Sequence, residues 1–333
     1  MTNKPKTLMH GSAKPSGLVA SAQAHSGVLE PYNKHRRYNN PICHQLAGNG
    51  ETLDLARAIG NCSTSIGLEV PLDGPNEGQA LLRAANPCNR RLCPFCEWRR
   101  SRAWRRRFFT GLPSFHEDFP THRAIFLTLT VKNCAVNELR TTINDMHRAW
   151  DRMQRRKWFP TKFWFRRTEV TVNAARKSPF VGPQFHPHIH SVLFVPAGYF
   201  SHSFIRQTQW RKEWMDAARL DYAPVVDVRR AKTSCSSGGA STSESRSAAI
   251  EATKYATKAT DLISMGDVLT EYHYAVKGLR LSASSSSLRP YVSDSYLDTD
   301  DLLDVEDQES FESVRGKALW FEDVGEYLFS DIH

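Results

Sequence analysis

Along the middle of the chain, apolar positions with a period of two alternate with apolar positions spaced three and four apart. Residues 125–131 (IFLTLTV) are β-branched or aromatic and are bounded by Arg123 and Asn133, which predicts a buried strand. Leu139, Ile143, Met146, Trp150 and Met153 form one apolar stripe. Arg148, Arg152, Arg155 and Arg156 fall on the other faces, which predicts an amphipathic helix. Residues 167–173 (RTEVTVN) and 188–195 (HIHSVLFV) alternate as two further strands. Trp210, Trp214 and Ala217 mark a helix within 203–220, and 224–230 (PVVDVRR) is a short strand. Residues 248–262 contain good helix formers and neither Gly nor Pro, so they predict a single helix. This order predicts an α+β fold, a central antiparallel sheet with flanking helices on one face.

The outer segments lack such periodicity. Residues 1–50 mix Lys, Ser, Pro, Gly and Asn and predict a disordered arm. Residues 232–247 (KTSCSSGGASTSESRS) predict a flexible loop. Residues 281–333 predict a Ser-rich linker and an acidic, solvated tail, with a subordinate reading in which the tail folds over a basic groove. Charge sharpens this division. Residues 291–333 hold thirteen Asp and Glu against only Arg315 and Lys317, whereas the other 290 residues hold 42 basic and 22 acidic side chains. So basic a body is expected to hold a polyanion by counterion release, and nucleic acid is the leading partner. No run of eighteen apolar residues occurs, which argues against a membrane-spanning helix. No apolar run in the first thirty residues suggests a secretory signal. The seven cysteines, odd in number and irregularly spaced, fit a reducing cytoplasm better than a disulfide framework. Oligomeric state is left open.

Three constellations carry chemistry. In His186-Pro187-His188-Ile189-His190 the period of a strand turns all three imidazoles to one face, an arrangement suited to a divalent cation. His188 and His190 are the expected ligands. Glu169 is the preferred third, on an upstream strand of the same parity, and His186 is the competing third ligand or a partner of the ligands. Two His and one carboxylate leave open positions suited to Mg²⁺ or Mn²⁺ acting as a Lewis acid. In the second constellation, Glu251 precedes Tyr255 by one helical turn and Lys258 follows it at i+3. There Tyr255 is a candidate oxygen nucleophile, Lys258 would favour the phenolate or steady a phosphate, and Glu251 would activate water. In the third, Cys88, Cys93 and Cys96 call for a fourth ligand to close a tetrahedral, structural Zn²⁺ site. Nine Arg lie in residues 83–107 with Glu97 as the lone acid. Arg99, Arg100, Arg102, Arg105, Arg106 and Arg107, interleaved with Trp98 and Trp104, predict a helix lying along a phosphate backbone.

With these motifs in order, residues 51–275 resemble the rolling-circle replication initiators of plasmids, the single-tyrosine branch of the HUH endonuclease superfamily. The resemblance rests on Phe126-Leu127-Thr128-Leu129-Thr130, on the His186–His190 element with Glu169 upstream, and on Glu251 through Lys258. It implies a zinc and DNA-binding module over 51–115 and an HUH catalytic domain over 116–280. It also implies a metal-dependent nicking-closing endonuclease. Tyr255 would attack the scissile phosphate of the double-strand origin, leaving a 5′-phosphotyrosyl link and a 3′-hydroxyl for the host polymerase. Glu251 would activate water for the terminating cleavage. Ala259 stands four residues after Tyr255, so a two-tyrosine arrangement is absent. Cys62 resembles a family cysteine and is the implied fourth thiolate, with Cys43 and His44 as alternates. Cys134 and Cys235 are expected to be incidental, and Thr128 and Thr130 are assigned no catalytic role. No G-x-x-x-x-G-K-[ST] loop is present, so a host helicase would open the duplex. Related relaxases and transposases share the His element. A non-catalytic, zinc-stabilised DNA-binding protein would share the composition but require neither the His cluster nor Tyr255.

Overall fold

The computed structural model describes residues 26–72, 78–173, 182–231, 240–253, 257–292, 303–304 and 313–332. Two antiparallel sheets organise it. The larger has five strands in the order β6-β3-β5-β4-β7: β3 (Arg123–Thr130), β4 (Trp164–Asn173), β5 (Gln184–Val195), β6 (Val226–Arg230) and β7 (Ser282–Ser284). The smaller, in the order β2-β1-β8-β9, comprises β1 (Ser65–Pro71), β2 (Leu81–Ala85), β8 (Ser313–Phe321) and β9 (Glu326–Ile332). The α+β class is therefore as expected, but a second sheet joins the first.

Alternation along β3 and β5 gives the larger sheet two apolar faces, each covered by a pair of helices. Ile125, Leu127, Leu129, Ile189 and Leu193 pack beneath α5 (Val136–Gln154) and α6 (Gln207–Ala218) through Trp150, Met153, Trp210 and Trp214. Ala124, Phe126, Phe165, Val192 and Phe194 face the opposite way, beneath α4 (Pro94–Asp118) and α7 (Ala240–Ala252). The expectation of helices on one face is thus corrected. Strands buried on both faces need two apolar layers, and the aromatic stripe of α4 supplies the second. Gly111 lets α4 approach the turn after β7 closely, since a Cβ there would lie 1.7 Å from the Tyr291 carbonyl oxygen.

Both outer segments need correction. Residues 26–50, expected to be disordered, include α1 (Ser26–Arg37) and α2 (Asn39–Ala47). These helices are weakly amphipathic and are held by tertiary packing: Leu29 and Tyr32 are buried, and Tyr32 meets Trp98 edge-on at 5.1 Å. Residues 1–25 lie outside the described residues. The Ser-rich break contributes β7, and the Ser285 hydroxyl accepts from the Trp164 N–H at 3.2 Å. The supposed solvated tail supplies β8 and β9, which complete the smaller sheet against β1. Tyr327 of β9 is buried, and its hydroxyl donates to the Ser63 carbonyl. The boundary at residue 51 also dissolves, because α1, α2 and α3 (Leu53–Gly60) share one core with the cysteine segment. The predicted helix over 248–262 is two helices, α7 ending at Ala252 and α8 (Ala259–Ser264) beginning after Lys258. Thr253 closes the first with a hydroxyl bond back to Ala249 O at 2.7 Å, a competing bond typical of Thr at helix ends. A last helix, α9 (Leu269–Val276), packs against α5.

Candidate active site and cysteine cluster

Register sets the first cluster. On β4 and β5, Glu169 is paired with His188, and Arg167 with His190; on β3 and β5, Thr128 is paired with His190. Paired residues share a sheet face, so Glu169, His188, His190, Thr128 and Arg167 all point toward the α4 and α7 side. His190 Nε2 lies 3.1 Å and His188 Nε2 3.5 Å from the same oxygen, Glu169 Oε2. Each ring is oriented from behind. His188 Nδ1 lies 3.1 Å from the His186 carbonyl oxygen and His190 Nδ1 3.1 Å from Thr128 Oγ1. The carbonyl can only accept, so His188 Nδ1 donates to it, which turns the Nε2 edge of the ring toward the carboxylate. Burial pushes the Glu169 carboxyl up, but hydrogen bonds and charge from the two imidazoles outweigh it and hold the group well below the usual carboxylate range. Two imidazole nitrogens and an ionised carboxylate converging from one face could hold a metal ion. The His186 ring is not part of this group; its backbone carbonyl is what reaches His188.

Phe126 stacks on His190 at 5.4 Å, and the Arg229 guanidinium lies over Phe126 at 5.2 Å. Arg229 also lies 3.8 Å from Glu251, so Glu251 borders a cleft of about 170 Å³ with Phe126 and Arg229. Tyr255 lies outside the described residues, as do Lys254 and Ala256. Both flanks of that gap are fixed. Thr253 is fully buried, and its carbonyl accepts from Ser101 of α4 at 2.6 Å. Beyond the gap, the Thr257 hydroxyl meets the Tyr272 hydroxyl at 2.5 Å. Asp261, in the first turn of α8, takes a hydrogen bond from the Val172 backbone; burial, and the nearby Glu169 charge, push its carboxyl up. Lys258 does not share a helix with Glu251: it is extended at ψ 145° and precedes α8.

The second cluster joins α3, β2 and α4. Cys62 follows α3, Cys88 follows β2, Cys93 caps α4 and Cys96 lies in its first turn. Their four sulfurs lie within 4.8 Å of one another, with Cys62–Cys96 at 3.5 Å and Cys88–Cys96 at 3.7 Å. Thiol hydrogen bonds from its three neighbours lower the Cys62 thiol, whereas burial pushes the Cys93 thiol up. Four thiolates coexist so closely only around a cation, and such a set could hold one. The alternates stand elsewhere: Cys43 lies 3.1 Å from the Ala56 carbonyl oxygen, and His44 is exposed. Cys134 is buried near β5, and Cys235 lies outside the described residues.

The arginine helix is less available than predicted. Arg99 is 1% exposed and pairs with Asp304 at 2.7 Å, and Arg100 pairs with Glu97. These two therefore leave the predicted phosphate-facing set, because buried carboxylates neutralise them. Arg102 lies over Trp98 and Arg107 over Trp104, while Arg106 donates to the Leu303 carbonyl at 2.7 Å. Arg105 is half-buried. Glu97 also meets Arg167 at 3.2 Å, both side chains buried, so α4 ties the cysteine cluster to the sheet face that carries Glu169. Sequence patterning noted Thr128 and Glu97 but not their pairing with His190 and Arg167, and passed over Asp304. Parity with His190 could have signalled Thr128, and isolation among nine arginines could have signalled Glu97. Nothing local signals Asp304.

A two-sheet α+β body with an open His/His/Glu group and a closed thiol group has relatives. A model of the Rep_1 replication protein family matches residues 79–323, and the chain belongs to that family, the plasmid rolling-circle replication initiators. It is 31% identical over 235 residues to Protein rep of Lactiplantibacillus plantarum, covering 67% of this chain and 71% of that one. It is 34% identical to Protein rep of Streptococcus pneumoniae serotype 2 and of Lentilactobacillus hilgardii, over 47% and 57% of this chain. Those matches span 48% and 58% of the two relatives' own lengths. No solved structure matches. Among the described residues, no helix is long and apolar enough to cross a membrane.

Proposed function

We propose that this protein is a cytoplasmic enzyme that opens and reseals one strand at a plasmid's double-strand origin by tyrosine transesterification. The observation that carries this reading is the approach of two imidazoles, at 3.1 and 3.5 Å, to one Glu169 oxygen, on the sheet face covered by α7, the helix that leads toward Tyr255. His188, His190 and Glu169 would hold Mg²⁺ or Mn²⁺, which when bound polarises the scissile phosphodiester. The Tyr255 phenol oxygen forms a bond to phosphorus as the bond from phosphorus to the 3′-oxygen breaks. The phenolic proton is given up, the 3′-oxygen leaves as a hydroxyl, and a 5′-phosphotyrosyl ester remains. Lys258 favours the phenolate or steadies the phosphate. Glu251 accepts a proton from water in the terminating cleavage, with the Arg229 guanidinium 3.8 Å away beside it.

Cys62, Cys88, Cys93 and Cys96 would hold Zn²⁺ in a structural role. The partly exposed Arg102, Arg105, Arg106 and Arg107 serve the DNA backbone, and a host helicase and polymerase act at the opened strand. The test is incubation of the full chain with a labelled single-stranded origin oligonucleotide and Mn²⁺ or Mg²⁺. The expected result is a denaturation-resistant adduct whose mass maps to the peptide containing Tyr255. Cleavage without such an adduct, or an adduct on another residue, would overturn the assignment.

A further inference from the structure

A second cleft, of about 280 Å³, opens between α1, the start of α4 and the segment that follows Tyr255. Lys34, His35 and Tyr38 line one wall, and Thr257, Lys258 and Leu262 line another. The α1 wall lies outside residues 79–323, so the family match does not account for it. Its chemistry is specific. Lys34 and Lys258 are exposed cations. Glu97, the one acid on the lining, is already paired with Arg100 and Arg167, so it leaves the cleft electropositive. His35 stacks on Trp98 at 4.6 Å with an interplanar angle of 17°, which presents a flat aromatic surface. Burial lowers its pKa to about 4, so that surface is neutral at physiological pH.

Flat aromatic surfaces with exposed ammonium groups recognise single-stranded nucleic acid, by stacking a base and pairing the adjoining phosphates. The cleft is closed to a duplex by its size, and Thr257 and Lys258 are the second and third residues after the nucleophile. We infer that this cleft takes one unstacked nucleobase of the origin strand next to the scissile phosphate, held by Tyr38 and His35 with Lys34 and Lys258 on its phosphates. The inference rests on the proposed nicking function for the position of that base, but not for its binding.

The experiment is photo-cross-linking of the full chain to a single-stranded origin oligonucleotide carrying one 5-iodouracil, moved base by base through the origin. Cross-links at a single position should map to the peptide containing His35 and Tyr38. Tyr38→Ala should weaken binding of the single strand by about tenfold, in keeping with roughly 1–3 kcal/mol for a stacked base. Tyr38→Phe should restore binding, and Lys34→Ala should weaken it while lowering its salt dependence. Cross-links that avoid this peptide on every bound oligonucleotide would overturn the inference, as would wild-type affinity in both Tyr38→Ala and Lys34→Ala. The Tyr255 adduct separates the two proposals. An adduct without the cross-link leaves nicking standing and removes the cleft, and a cross-link without the adduct does the reverse.

Discussion

The two clusters that could hold metal differ in almost every physical respect. Glu169, His188 and His190 come from adjacent strands of one sheet and supply three donors from one side, and no fourth ligand stands with them among the described residues. Cys62, Cys88, Cys93 and Cys96 come from a helix end, a loop and a helix start far apart in the chain, and enclose their centre within the core. Strand register alone assembles the first; the second assembles only when its neighbourhood has folded. An open cluster can exchange its occupant and act on a substrate, whereas a closed one is inseparable from the fold around it.

The sharpest test of this contrast is Cys62→Ser. Structural thiolate sites contribute on the order of 10 kcal/mol of folding free energy, comparable with the whole stability of a domain. Amide protection in α1 to α3 and β1 should therefore collapse, and bound metal should fall, as read by hydrogen exchange and metal analysis. Retained protection would show the thiols to be dispensable to the fold. His188→Ala should do the opposite, leaving the melting curve near wild type while adduct formation falls by more than about a hundredfold. That floor exceeds the usual 10–100-fold cost of removing a mere partner of a ligand. Unchanged activity in a chelator would remove the metal from the reaction.

A subtler probe is Thr128→Val, which takes away the hydroxyl behind His190. Affinity for Mn²⁺, followed by titration, should weaken by about tenfold with little change in fold. The smallest effect concerns His147, whose Nε2 lies 2.8 Å from the Thr168 hydroxyl on the far side of the sheet. Burial lowers its pKa to about 3, so the unfolded chain binds its proton more tightly. The stability this histidine contributes is complete above about pH 6.5 and is lost as pH falls toward 3. His147→Gln should flatten the acid limb of stability measured against pH; an unaltered slope would assign that limb to other groups.

How much of this was legible depended on how far away each partner lies. Alternation placed Glu169, His188 and His190 on one face, because strand parity is a local property. The helix over 136–154 was legible for the same reason. Arg99 was not, since a run of arginines reads as a phosphate surface until Asp304, some two hundred residues on, takes one of them inside. The residues of β8 and β9 read as a charged tail because β1, the strand that pairs with β8 and so anchors both, lies about 250 residues earlier. Helix α1 contains Pro31 and few apolar residues, and tertiary partners, the Phe95 and Trp98 rings and β9 among them, hold it as a helix. The split between α7 and α8 was hidden because Thr residues weaken a helix through hydroxyl bonds that propensity scarcely records.

The pairing of β1 with β8 also sets an order of events during synthesis. The five strands of the larger sheet lie within residues 123–284 and can pair while the ribosome is still extending the chain. The smaller sheet must wait for residues 313–332, since Tyr327 closes over Ser63, the neighbour of Cys62. A message truncated before codon 313 therefore yields a nascent product with a formed His-bearing sheet and an exposed β1 edge, and such a product is a target for aggregation and proteolysis.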